Sequence, residues 1–144
     1  MTLFVEQKKF CVIDRKGVII MINAEVINKL FDVCSDGMEL EMIQSCVKSF
    51  HEYHSIIYHM ETFLRFKDKD MSIADYQYTL TNYDTRRTNC HNIVIQNIGI
   101  LNRMAKRYGL DPVYSGIVST ERPHRRVLAN EVLEYVEYIV KERR

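Results

Sequence analysis

Interruptions to regular backbone are scarce. Five glycines and two prolines in 144 residues exclude a fold of many short strands joined by tight turns and favour long elements. No apolar run approaches the roughly 20 residues needed to span a bilayer, so no membrane partner is expected. The opening MTLFVEQKKF lacks the basic, apolar and small-residue segments of a secretory signal, and a reducing, cytoplasmic setting is the expectation. Neither sign of charge dominates. Twenty Lys and Arg against nineteen Asp and Glu leave a formal net charge of +1, so the whole chain has no electrostatic footprint for nucleic acid or an anionic membrane. Cys11, Cys34, Cys46 and Cys90 form no CxxC pair, which argues against a zinc ribbon or dithiol redox motif. Gly-rich phosphate loops and nucleophile elbows are missing too. No cofactor is expected.

What is present is helical periodicity. Ile43, Cys46, Phe50, Tyr53, Ile57, Met60 and Leu64 recur at spacings of three and four, which predicts a helix near 38–66 with one continuous apolar face. Ser72 caps a second long helix, near 73–108, that Gly109 and Pro112 terminate. A third runs near 121–142, with Leu128, Val132, Val136 and Ile139 inward. Asn23 caps a shorter helix near 24–35, which stops at Ser35-Asp36-Gly37. Before residue 23, β-branched runs around Arg15-Lys16-Gly17 allow one small hairpin. The expected fold is therefore all-α: a single domain over 1–144, with residues 1–37 as a hairpin and short-helix segment and 38–144 as a helical bundle. Ile93 and Ile100 lie opposite the main stripe of the second long helix. Such a two-sided helix is either central in the bundle or shared with a second subunit, and a homo-oligomer is the expectation.

Two stretches carry resemblances. RRTNCHNIVIQNIGILNRMAKRYGL followed by PVYSG resembles a small bacterial family of helical proteins of unknown function. There a methionine-rich helix precedes a long helix with an Arg-Arg pair, a His-Asn or His-Asp pair and an Ile-Leu-Asn-Arg run. The matching residues are Arg86-Arg87, His91-Asn92, Ile100 to Arg103 and Gly109 to Gly116. The likeness spans roughly residues 40 to 116 and implies a helical fold without implying an activity. Separately, VIDRKGVIIMINAEVINKLF, residues 12–31, resembles the opening hairpin and helix of a PAS sensor domain, over about a seventh of the chain.

The second long helix poses the functional question. Its stripe reads Leu80, Asp84, Arg87, His91, Val94, Ile98, Leu101, so an acid, a base and an imidazole share a face built for a core. One reading is a buried ion-pair row. It predicts that Arg87→Met alone costs on the order of 3 kcal/mol, because it strands a buried carboxylate. The other is a polar pocket: Arg87 holds a carboxylate or phosphate, His91 donates a proton and Asp84 orients one of them. Helix bundles also build metal sites from facing helices, and His54 and Glu61 opposite Asp84 and His91 would supply four ligands. RPHRR at 122–126 places basic side chains where the helix dipole opposes them; it reads as a solvated face or as a contact for an acidic partner or phosphate backbone. The expected function is a non-enzymatic interaction or regulatory module that self-associates and binds a protein partner. The alternative is a small enzyme or an anion-binding protein whose site is Asp84, Arg87 and His91.

Overall fold

Side chains that compete for backbone hydrogen bonds divide the chain into helices. The computed structural model describes residues 12–13, 19–20, 22–66, 70–119 and 121–142. Helix α1 spans Ala24–Val33, and the Asn23 side chain accepts from the Val26 amide at 3.2 Å, satisfying one orphan donor of its first turn. Ser35-Asp36-Gly37 ends this helix and also starts the next. Asp36 accepts from the Glu39 amide at 2.7 Å, and α2 runs over Gly37–Phe66. Ser72 caps α3, Ile73–Arg107, by accepting from the Asp75 amide. That helix continues unbroken through Asn82 to Asp84.

The end of α3 depends on one glycine. Gly109 has φ +71°, a conformation an L side chain resists. It lets the Gly109 amide bond to Lys106 O and the Leu110 amide to Ala105 O, the paired bonds of a Schellman motif. Helix α4 then occupies Arg122–Glu142. Strands β1, Val12–Ile13, and β2, Ile19–Ile20, pair antiparallel with Ile13 opposite Ile19. The turn expected at Arg15-Lys16-Gly17 lies outside the described residues.

The architecture is the expected helical bundle. Helices α2 and α3 form an antiparallel hairpin whose register is marked by cross-helix pairs. Tyr108 donates its hydroxyl to Glu39, and Arg107 lies 3.2 Å from the same carboxylate. Asn97 donates to Ser49 at 2.8 Å. Near the open end, the Phe63 ring stacks 5.5 Å from Tyr76. Helix α4 packs on α2, with Phe50 edge-on to Tyr135. Helix α1 joins the same core through Val26, Ile27 and Leu30.

The segment after α3, beyond the Gly109 and Pro112 that end the helix, is also a core element. Val113 and Tyr114 are buried. Their backbone groups are held by Asn102, which accepts from both amides and donates to the Tyr114 carbonyl. The Asn23 amide bonds to Val113 O at 2.8 Å, and Ile22 forms an isolated bridge with Tyr114. One asparagine thus ties a return loop to the bundle by satisfying polar groups that burial would otherwise strand.

The apolar stripe of α2 is buried only as far as Ile56. Beyond it Ile57 and Met60 are half-buried and Leu64 is exposed. In α3 no residue before His91 is buried. The reason is length. At 1.5 Å per residue, 21 residues of α4 reach about 30 Å, against about 45 Å for the 30 of α2. Helix α4 is too short to cover the whole hairpin. Among the described residues no helix is long and apolar enough to cross a membrane.

Candidate functional site

Where α4 ceases to cover the hairpin, the DTRRTNCHN stretch divides into two environments. Arg87 Nη2 lies 2.6 Å from Asp84 Oδ1, one turn away, with the two side chains 34% and 56% exposed. His91, one turn further along, is fully buried. It bonds elsewhere: Nδ1 is 3.0 Å from Tyr53 Oη, and Nε2 is 3.3 Å from the Ser119 carbonyl oxygen. The expected buried row of three is corrected. Asp84 and Arg87 pair at the surface, and His91 belongs to the core.

The partners of His91 fix its tautomer. A carbonyl only accepts, so Nε2 carries the hydrogen, and Nδ1 then accepts from the Tyr53 hydroxyl. Burial lowers the His91 pKa. The Ser119 carbonyl opposes that shift, and Arg125 and Arg87 add to it. The ring is therefore neutral with both nitrogens committed, and the role of proton donor to a ligand does not fit it. Burial likewise pushes the Tyr53 hydroxyl up to about 12, against the pull of Arg87 and Arg125.

A surface pair is worth little, because water solvates both charges when they separate. Arg87→Met is accordingly expected to lower stability by less than about 1 kcal/mol, as measured by urea unfolding. A loss of 3 kcal/mol or more would restore the buried row.

The four-ligand arrangement also dissolves. His54 lies 3.7 Å from Glu137 on α4, Asp84 is taken by Arg87, and His91 is closed off in the core. Among the described residues no group of three or more His, Cys, Asp or Glu could hold a metal ion.

What the tertiary structure does bring together is basic. A cleft of about 470 Å³ lies between α2, α3 and the first half of α4. Arg87 enters it from α3, and Arg122, Arg125 and Arg126 from α4. Spacings of three and four put the last three on one helix face. Tyr53, Ile57, Met60, Glu61 and Leu64 line the α2 side, and Ala129, Asn130 and Leu133 continue the α4 side. Among the described residues Arg122, Arg125 and Arg126 make no ion pair. The first turn of α4 also holds no acidic residue. Positive side chains therefore face the positive end of a helix dipole, an arrangement that a bound anion would relieve. Arg125 and Arg87 both act on His91 and on Tyr53, so the field of the α3 and α4 arginines reaches the same point.

Sequence reading noticed Arg87 and RPHRR separately and did not join them, because they are about 35 residues apart and meet only through the docking of α4. It took Tyr53 as an apolar stripe residue and so missed the hydroxyl that pairs with His91. Ser119 acts through its backbone and leaves no sequence signal. Glu131 was missed although a signal existed: it stands three residues after Leu128 and four before Tyr135, in the inward stripe. None of the family models, curated proteins or solved structures compared with this chain matches it.

Proposed function

We propose that the protein binds an anionic ligand in the cleft between α2, α3 and the start of α4. The observation that carries this reading is the convergence of four arginines on one cavity, three of them without an ion pair among the described residues. Guanidinium forks suit phosphate or carboxylate oxygens bidentately. A basic cluster at a helix start has a stability penalty that a ligand offsets. Asp84 takes the place of a positioning residue, since its contact restrains Arg87 at the mouth of the site. His91 stands behind the cleft and orients Tyr53.

The test is a titration with inorganic phosphate at constant ionic strength, followed by amide chemical shifts. Phosphate is expected to move resonances of the α4 start and of Arg87 where chloride does not. Arg125→Ala together with Arg126→Ala is expected to weaken binding at least about tenfold while melting no earlier than the parent chain. Identical responses to phosphate and chloride would end the proposal.

A second reading keeps the self-associating module. Ile93 is 46% exposed, and Met38, Leu40 and Met42 are exposed on the first turns of α2. Sedimentation at micromolar concentration separates this reading from the first, because anion binding does not require a dimer.

A further inference from the structure

We infer that the ligand of the arginine cleft is a small phosphate monoester carrying an apolar body; this rests on the anion-binding reading above. Three features of the cleft favour that class. The first is its two-sided lining. Opposite the arginines, Ile57, Met60 and Leu64 of α2 form an apolar wall that Leu133 extends from α4. The end of the hairpin is left uncovered there, with Leu64 44% exposed. Apolar side chains at the rim of a charged cleft gain by being covered, and inorganic phosphate cannot cover them.

The second feature is size. A cavity of about 470 Å³ falls among clefts that hold ligands of many atoms, whereas a single water occupies about 30 Å³ of liquid. A bare oxyanion would leave most of the space to solvent. The third is the count and direction of charge. Arg87 has a carboxylate at hand in Asp84, and Glu61 adds one acid to the lining, so two to three cations stay uncompensated. The four arginines together approach from two helices, Arg87 from α3 and the rest from α4. A phosphate monoester presents three terminal oxygens in different directions and close to two negative charges. A carboxylate presents two oxygens in one plane and one charge. The monoester matches both the number of cations and their separate origins.

The inference is tested by calorimetric titration with inorganic phosphate, 1-naphthyl phosphate and 1-naphthoate. The parent chain is expected to bind 1-naphthyl phosphate at least about tenfold more tightly than either of the others. Met60→Gln with Leu64→Gln is expected to erase the advantage over inorganic phosphate, leaving the inorganic affinity within about twofold. Both positions lie outside the buried core, and circular dichroism verifies that the variant is folded. Equal affinity for 1-naphthyl phosphate and inorganic phosphate would overturn the apolar body and leave the anion site standing. Equal affinity for 1-naphthoate and 1-naphthyl phosphate would overturn the phosphate. Binding by none of the three would overturn the anion site together with this inference. Preference for vesicles containing phosphatidic acid over free 1-naphthyl phosphate would overturn the small-molecule assignment and point to a lipid surface.

Discussion

Replacing Glu131 with leucine is expected to stabilise the protein by about 3 kcal/mol at neutral pH. Glu131 is 1% exposed, and neither carboxyl oxygen finds a well-formed hydrogen bond among the described residues. Burial, reinforced by the charge of Glu134, raises its pKa from 4.5 to about 8, and the nearby Ile22 amide is the smallest influence on it. A folded-state pKa above the unfolded one means that folding takes up a proton between pH 4.5 and about 8. The parent chain therefore loses stability as pH rises through that window and levels off above it. Leucine has no proton to lose, so the gain from Glu131→Leu shrinks towards pH 4 and is largest above pH 8. Urea unfolding of both chains at pH 4.5, 7 and 9 measures this directly. A pH-independent difference, or a less stable variant, would mean that the carboxyl has a partner in the folded state. The Tyr114 hydroxyl is buried beside Glu131 and likewise lacks a partner among the described residues.

His91→Leu is expected to act in the opposite direction, with a loss of about 3 kcal/mol. The imidazole is the hydrogen-bond partner of both the Tyr53 hydroxyl and the Ser119 carbonyl. Leucine fills similar space, strands the Tyr53 hydroxyl in the core and removes the donor from the part-buried Ser119 carbonyl, at about 1–3 kcal/mol for each group. Adding Tyr53→Phe removes one of the stranded groups and is expected to recover about half of the loss. The pH profile provides an independent check. Because the folded-state pKa of His91 is lowered below 6.5, the unfolded chain binds the proton first, and the imidazole's contribution falls as pH drops below 6.5. His91→Leu should flatten that limb of the profile. If the single variant unfolds within 0.5 kcal/mol of the parent, roughly the error of such measurements, the hydrogen bonds of His91 do not hold the core.

These two residues also mark how far the sequence could be read. His91 stood out because an imidazole interrupts an apolar stripe, and the stripe assigned it to the interior. Its partners could not be inferred, because Tyr53 is 38 residues away on another helix and Ser119 contributes a backbone carbonyl. Asp84 and Arg87 share the same stripe by spacing, yet they sit past the point where α4 covers the hairpin. Periodicity reports which residues share a face; it does not report whether another helix covers that face.

The sequence by itself determined the helices and their ends, because local chemistry sets them. Asn23 and Ser72 supply the missing acceptors at two helix starts, and Gly109 supplies the one backbone conformation that closes α3. Apolar spacing determined that three long helices share a core. Tertiary structure alone decided which charges of different helices meet. A net charge of +1 conceals a cleft where Arg87 faces Arg122, Arg125 and Arg126, because a sum over the chain has no positions in it. It also decided that Glu131 is buried without a well-formed hydrogen bond among the described residues. The packing free energy of α4 is spread over many apolar contacts, and one ill-matched carboxyl in its stripe is carried inward with the rest.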